Sequence, residues 1–481
     1  MNTSYKQKAV NAVLWSTIER FSVQGINFVL GLLIARLVAP SDFGVIAMLA
    51  VFLAMANTFV DSGFANALIR KLDRTEIDNS TVFYFNIVVG AGAYVILFFA
   101  APLIAEFYRM PILIPILRVV SWSIVFNSLA IVQQAILTSN INFKSQAKIS
   151  VVAAVVSGFI GVVMAYMQYG VWALVAQMVS SAFVRMTMLW IVVRWCPCRA
   201  FSRQSFRELF SYGSKLLLSN LVVNISSSVT GLIIGRKFSS ASLGFYNRAE
   251  QLSVFLAGNI SAILNRVTFP VFSKKQNDKA TLRQYYLKII SVTSMLVVPA
   301  MAILFVFAEP LIVVLLTEKW IPAVPLVRIL VFFAVWMPFS VLNINILCVV
   351  GRSDYVLRIE MLKGALCVAA ILLAIPYGLE YVCYALAIAT FICSFVYTKY
   401  TKSSIDVSWS CQMRQIIPYV AMSAVAGAIG FFTTARIDSL TLRLIIAVMV
   451  FLIVYVTLLL IIDKENVRFL KTLIPKHRKN D

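Results

Sequence analysis

Charged and amide side chains inside long apolar segments are the residues of this chain best placed to do chemistry. A charge inside a membrane span costs about 2.5–3.5 kcal/mol on insertion scales, so such groups usually face an interior cavity. Basic residues outnumber acids within the predicted spans, and the charges that stand out as candidates are seven bases, Arg20, Arg118, Arg185, Lys215, Arg266, Arg328 and Lys363, and three acids, Glu19, Asp61 and Glu360. This excess of cations predicts a cavity that attracts an anion.

Depth within the span separates these charges. Arg20, Lys215 and Arg266 are predicted to lie in the cytoplasmic third of the membrane, together with both Glu19 and Asp61. Guanidinium groups form bidentate, charge-assisted hydrogen bonds with phosphate, and amide side chains can hydrogen-bond to sugar hydroxyls. We therefore expect an anionic, phosphate-bearing and partly sugar-like ligand. The predicted binding residues are Arg20, Arg266, Lys215, Asp61, Glu19, Asn57, Asn224 and Asn259.

Structural roles for the same residues stay open on the sequence alone. The two acids could pair with Arg20 and Arg266, and the asparagines could hold helices together by interhelical hydrogen bonds. Long basic side chains near a membrane surface can extend their charged ends to it. The bases to which this applies are Arg185, Lys215 and Arg328.

Composition places the chain in a membrane. Of its 481 residues 61% are apolar and 13% are charged, against about 45–50% and about 25% in ordinary soluble proteins. These values exclude a soluble enzyme and a nucleic-acid-binding domain. The single histidine, His477, and the Cys196-Pro197-Cys198 pair, which has one intervening residue, predict no metal site. We expect no cofactor and no enzymatic activity.

Fourteen segments are long and apolar enough to cross a bilayer core of about 30 Å. With the N-terminus inside, predicted inward segments hold 27 Lys and Arg residues and outward loops hold 8, which fits the positive-inside rule with both termini cytoplasmic. The net charge of +22 is then a consequence of topology. The predicted spans are 11–35, 43–68, 80–105, 112–137, 149–167, 171–193, 212–235, 247–271, 286–308, 325–350, 355–376, 379–398, 415–434 and 441–462.

A sequence repeat recurs 200 residues apart. Residues 31–44 read GLLIARLVAPSDFG and residues 231–244 read GLIIGRKFSSASLG, with five identities including Gly44 and Gly244. Both stretches end a predicted outward-going helix and begin an inward-going one. We therefore predict a six-helix lobe at 1–200, a second at 201–400, and two added helices with a basic tail at 401–481. Paired repeats around a central site are typical of secondary transporters.

Several short motifs identify a family resemblance. Residues 34–44 (IARLVAPSDFG), 61–64 (DSGF), 142–144 (NFK) and 243–249 (LGFYNRA) resemble landmarks of bacterial polysaccharide transporters, the Wzx-type flippases of the lipopolysaccharide branch. The resemblance implies the fold of multidrug-and-toxin exporters and of the peptidoglycan-precursor flippase. It also implies an inner-membrane protein that moves an undecaprenyl-diphosphate-linked O-antigen or exopolysaccharide repeat unit to the outer leaflet.

Other functions compete with this one. A cation-coupled multidrug exporter on the same fold would favour an acidic cavity, whereas the spans here are rich in bases. A membrane glycosyltransferase, polymerase or ligase would need a sizeable loop with carboxylates or catalytic bases, and the outward loops are short and contain no histidine. A peptidoglycan-precursor flippase differs only in the motifs. The basic cytoplasmic loops are expected to contact membrane lipids, and docking of a polymerase or glycosyltransferase is the alternative.

Overall fold

The computed structural model describes residues 3–61, 63–71 and 73–466, with the side chains of Arg20, Lys215 and some of their neighbours outside the described set. Within these ranges the chain is helical and contains no strand. Its helices are α1 Thr3–Leu37, α2 Pro40–Asp61, α3 Phe64–Arg70, α4 Glu76–Tyr108, α5 Leu113–Val120, α6 Trp122–Ser139, α7 Phe143–Tyr166, α8 Val171–Val193, α9 Arg203–Lys237, α10 Ser240–Ser273, α11 Lys279–Val306, α12 Ala308–Leu316, α13 Ala323–Ala334, α14 Met337–Val349, α15 Ser353–Ala374, α16 Leu379–Ile405, α17 Trp409–Thr434 and α18 Leu440–Ile462.

Twelve stretches of the described chain are helical, long and apolar enough to cross a membrane. They coincide with twelve of the fourteen spans predicted from the sequence, so the expectation of an all-α, multi-pass membrane protein is confirmed. The other two predicted spans coincide with α1 and α9, each a helix of 35 residues. Polar residues recur throughout α9, which explains its low apolarity. Fourteen is therefore an approximate count.

Three predicted spans are interrupted. The second divides into α2 and α3 at Gly63, whose φ of 69° is a conformation that glycine adopts without strain. The fourth divides at Ser121 between α5 and α6, and the tenth divides between α13 and α14 just before Pro338. A proline at the start of α14 suits the first turn of a new helix.

Two compact units make up the chain, Met1–Gly244 and Phe245–Asp481. In the first unit, Phe64, Leu68, Phe83, Val132 and Leu209 form a core shared by α3, α4, α6 and α9. The predicted lobes are defined by the sequence repeat, and these units by compactness. The lobe boundary at residue 200 therefore stays a prediction.

The core of the second unit lies around α11. Phe339 of α14 and Tyr419 and Phe451 of the two C-terminal helices belong to one buried cluster with Tyr286 and Ile290 of α11. The two helices that follow the second repeat are therefore part of the packed core of this unit.

Helix boundaries follow the predicted repeat. Helices α1 and α9 begin at residues 3 and 203 and end at residues 37 and 237, and α2 and α10 begin at residues 40 and 240. The ends of these helices are therefore offset by 200 residues, as are the two sequence motifs.

Candidate functional site

Helix α9 and the first residues of α10 lie along α2 and α3, forming what we call the α2–α9 seam. At one end of the seam the two repeat glycines approach backbone reciprocally. A Cβ atom added to Gly44 would lie 1.7 Å from the carbonyl oxygen of Ser240, and one added to Gly244 would lie 2.0 Å from that of Pro40. Because any side chain would collide with backbone, only glycine permits this approach.

Amide and hydroxyl groups meet in the middle of the seam. The Asn224 amide Nδ2 donates to Thr58 Oγ1 at 2.7 Å, which joins α9 to α2. On the neighbouring residue, Asn57 Oδ1 accepts from Asn127 Nδ2 of α6 at 3.1 Å, and Asn57 Nδ2 donates to the Leu53 carbonyl at 2.9 Å. Two of the predicted binding residues, Asn57 and Asn224, therefore lie close together and take part in interhelical hydrogen bonds.

At the opposite end of the seam, a close approach of two glycines and a set of ion pairs join the helices. A Cβ added to Gly63 would lie 2.7 Å from the Gly213 carbonyl oxygen, so the turn between α2 and α3 touches α9 closely. Nearby, Lys71 Nζ lies 3.2 Å from the Asp78 carboxylate and 3.1 Å from that of Glu208 at the start of α9. Desolvation lowers the pKa of Lys71, but hydrogen bonds to Glu208 and Asp78 outweigh it, and the net pKa is raised. This lysine therefore stays charged and bridges α4 and α9.

The two acidic members of the predicted set belong to different helices. Glu19 of α1 accepts a hydrogen bond from Ser150 Oγ of α7 at 2.8 Å. Asp61 is the last residue of α2 and is exposed. Pairing of these acids with Arg20 stays a prediction, because the side chain of Arg20 lies outside the described residues, as does that of Lys215.

Two predicted residues of the second unit share α10. Asn259 Nδ2 donates to the Phe255 carbonyl at 2.7 Å, within its own helix. Arg266 is exposed. Seven residues separate them, and residues spaced by two turns lie on the same face of a helix. This face of α10 offers an amide and a guanidinium group together.

Bases outside the predicted set have local partners. The guanidinium of Arg118 lies 4.1 Å from the ring centroid of Phe98. The Arg185 guanidinium donates to Gln134 Oε1 at 3.5 Å. Arg328 lines a mostly apolar cavity of about 510 Å³ with Phe305 and Phe332. These contacts are consistent with structural roles for the three bases.

Sequence reasoning missed a polar group near the start of α10. Arg248 and Glu250 fall within the predicted span 247–271 but are not among the predicted binding residues, and α10, which begins at Ser240, includes both. Arg248 is buried, donates to Gln251 Oε1 at 2.7 Å, and lies 5.5 Å from the ring centroid of Trp320. The signal that could have revealed it is motif 243–249, which contains Arg248.

A second missed cluster centres on Asn343 of α14. Its Oδ1 accepts from Tyr286 and Thr401 at 2.7 Å each and from Gln412 Nε2 at 3.3 Å. The amide in turn donates to the Phe339 carbonyl at 2.9 Å. The available signal was an asparagine within the apolar run 325–350.

No group of three or more His, Cys, Asp or Glu side chains suited to a metal occurs within the described residues. Alongside carboxylates such as those of Asp78, Glu208 and Glu250, the seam and α10 offer amides, hydroxyls and cations. Such groups can bind phosphate and hydroxyl oxygens through hydrogen bonds.

Comparison with solved structures identifies the fold. The lipid II flippase MurJ in an inward closed conformation superposes with a TM-score of 0.73 at 14% identity, covering 93% of this chain and 99% of that one. An inward-facing multidrug resistance MATE family transporter of the MOP superfamily gives a TM-score of 0.61 at 15% identity, covering 81% and 94%. The expected multidrug-and-toxin-exporter-like fold is confirmed.

Sequence comparison identifies the family. The lipopolysaccharide biosynthesis protein WzxC of Escherichia coli (strain K12) is 24% identical over 374 residues, covering 77% of this chain and 76% of WzxC. The succinoglycan biosynthesis transport protein ExoT of Rhizobium meliloti (strain 1021) is 23% identical over 460 residues, covering 94% and 93%. Residues 33–325 match the polysaccharide biosynthesis protein family. This match covers more than half of the chain, which therefore belongs to the polysaccharide biosynthesis protein family, as its motifs predicted.

Proposed function

We propose that the protein is a flippase for an undecaprenyl-diphosphate-linked oligosaccharide repeat unit. It moves this lipid-linked sugar from the cytoplasmic to the outer leaflet of the bacterial inner membrane, with both of its own termini cytoplasmic. The movement follows alternating access through a central cavity that carries net positive charge. The product supplies lipopolysaccharide or exopolysaccharide assembly.

The observation that carries this proposal is the polar character of α9. This helix has the length of a membrane span, yet serine, threonine and asparagine residues recur along it, and one of them reaches Thr58 of α2. Polar groups inside a membrane usually line a polar interior instead of facing lipid. In a member of a polysaccharide biosynthesis family, such an interior suits a hydrated sugar cargo.

The chemistry of the predicted binding set agrees with both parts of the cargo. Arg20, Lys215 and Arg266 would attract the diphosphate, for which guanidinium groups give paired hydrogen bonds. Asn57, Asn224 and Asn259 would offer amide groups to sugar hydroxyls. Glu19 and Asp61 would orient neighbouring cations or bind sugar hydroxyls. The related proteins are named for different glycans, so we expect the sugar to be recognised through many ordinary polar contacts.

Reconstitution tests this proposal directly. Purified protein would be placed in liposomes that contain a fluorescent undecaprenyl-diphosphate oligosaccharide, and the exposure of the sugar to a membrane-impermeant quencher would be followed with time. Transfer between leaflets faster than in protein-free liposomes is expected. A rate equal to that of protein-free liposomes, from folded protein supplied with several different oligosaccharides, would overturn the proposal.

A further inference from the structure

A polar cavity of about 620 Å³ lies within the second unit, apart from the residues considered above. It opens among the first turns of α11, the first turns of α17 and the end of α18. Its volume falls in the range of about 300–1,000 Å³ typical of small-molecule sites. Its walls include the bases Lys288 and Arg414, the acids Asp463 and Glu465, and Asn466.

The floor of this cavity is a fixed hydrogen-bond network. Asn466 Nδ2 lies 2.7 Å from Ser291 Oγ, 2.8 Å from the Tyr419 hydroxyl and 2.7 Å from Asp463 Oδ2, and its two N–H groups are shared among these three acceptors. Asn466 is 6% exposed, and its Oδ1 has no hydrogen-bond partner within residues 3–466 as described. Because a buried acceptor without a donor is costly, this oxygen is a binding point for a donor group.

Both signs of charge are present at the cavity. Lys288 Nζ lies 3.0 Å from Glu465 Oε1, and Arg414 is exposed and forms no ion pair with any described residue. Burial raises the pKa of Asp463, but hydrogen bonds from Tyr419 and Asn466 and the charge of Lys288 lower it by more than burial raises it. The net pKa of this carboxyl group is therefore lowered. Two cations therefore stand beside two carboxylates, which matches a ligand that carries both charges.

The cavity lies where a lipid headgroup would lie. The 23-residue apolar helix α18 ends at Ile462, which lines the cavity, and the predicted topology puts this end at the cytoplasmic membrane surface. The helices beside the cavity expose apolar side chains, including Ile417 of α17 and Ile461 of α18. A molecule with its polar group in the cavity could therefore lay acyl chains on these helices.

We propose that this cavity binds the headgroup of an aminophospholipid of the phosphoethanolamine type. The phosphate is held by Lys288 and Arg414, and the ammonium group donates to Asp463, Glu465 and Asn466 Oδ1. A purely anionic headgroup fits less well, since it would place its charge beside the two carboxylates. None of the residues of this cavity belongs to the predicted binding set for the cargo.

Lipid retention by the purified full-length protein tests this assignment. Native mass spectrometry would compare the binding of phosphatidylethanolamine and phosphatidylglycerol with identical acyl chains. We expect the wild type to prefer phosphatidylethanolamine and Arg414→Gln to weaken its binding about tenfold, since one charge-assisted hydrogen bond is lost. Lys402→Gln is the matched control, because Lys402 is an exposed base of the same unit that does not line the cavity.

Recognition of the ammonium group has its own variant. Glu465 is largely exposed, so Glu465→Gln should leave the melting temperature unchanged while shifting the preference toward phosphatidylglycerol. The proposal is overturned if the wild type prefers phosphatidylglycerol, or if folded Arg414→Gln retains phosphatidylethanolamine as well as the wild type does. Equal weakening by Arg414→Gln and Lys402→Gln would also overturn it, because attraction would then come from general surface charge.

Discussion

At the scale of single residues, the bases inside the predicted spans have different surroundings. Arg266 is exposed on the face of α10 that also carries Asn259, whereas Arg328 lies in an apolar cavity with Phe305 and Phe332. A cation beside an amide can bind an anionic sugar, but a cation among aromatic rings is better explained by packing. The sequence separated the two arginines only by their predicted depth, with Arg266 in the binding set and Arg328 near a membrane surface.

Replacing these two arginines separates a binding role from a structural one. Arg266→Ala is expected to lower surface polysaccharide about tenfold at normal protein level, because a charge-assisted contact to phosphate is lost. Arg328→Ala should have a smaller effect. Quantitative immunodetection of surface glycan and of the membrane-inserted protein would measure both. Equal losses at equal protein level would rule out a special role for Arg266.

Asn343 is expected to matter for stability. Its Oδ1 accepts from three side chains, so Asn343→Ala would leave buried donors unpaired and lower the free energy of unfolding by about 3 kcal/mol. Asn345→Ala is the control on the same helix, because this equally buried asparagine donates to Thr268 alone among the described residues, and its loss should cost about 1 kcal/mol. Thermal unfolding in detergent would compare them. An Asn345→Ala variant less stable than Asn343→Ala would contradict this ranking.

At the scale of elements, the α2–α9 seam depends on a close approach of backbone. Gly44→Ala is expected to lower transport and thermal stability, since its Cβ would lie 1.7 Å from the Ser240 carbonyl oxygen. Gly231→Ala is the matched control from the same repeat, because a Cβ there meets nothing within 4 Å. Alanine is a better helix former than glycine, so helix propensity cannot explain a loss of stability on Gly44→Ala. Indistinguishable effects of the two substitutions would argue against the close contact.

The hydrogen bond between Asn224 and Thr58 can be measured by itself. A double-mutant cycle with Asn224→Ala and Thr58→Val should give a coupling of about 0.6 kcal/mol, the mean for polar pairs in membrane proteins. Thr58 also donates to the Ala54 carbonyl. Thr58→Val removes this second hydrogen bond whether or not Asn224 is present, so its loss cancels in the cycle. Unfolding of the two single variants and the double variant in detergent would provide the value. Additive effects would mean that the two helices do not interact through this pair.

Most elements, but fewer of their contacts, could be predicted from the sequence. Apolar length predicted α8 at the residues 171–193 that it occupies, because a span in lipid must satisfy its backbone internally. The break between α13 and α14 was not predicted, since apolar residues continue through it. The partners of Asn57 and Asn224 could not be predicted either. Such pairs depend on which helices become neighbours.

At the scale of the whole molecule, family and fold agree on a multi-pass membrane protein of polysaccharide biosynthesis. The repeat predicted at an offset of 200 residues reappears in helix ends that differ by the same number. Repeated units of this kind suit alternating access. The large positive charge needs no nucleic acid to explain it, because it lies mostly in the predicted cytoplasmic segments.

The most direct measurement uses a strain that lacks this gene but keeps its glycosyltransferases. Lipid-linked intermediates would be extracted, their mass determined, and their leaflet assigned with a membrane-impermeant reagent. We predict that an undecaprenyl-diphosphate oligosaccharide accumulates in the cytoplasmic leaflet while surface glycan disappears. Restoration by the wild-type gene would show that the loss is specific. Normal surface glycan with no accumulated intermediate, in a strain without a second homologous transporter, would contradict the proposed flippase.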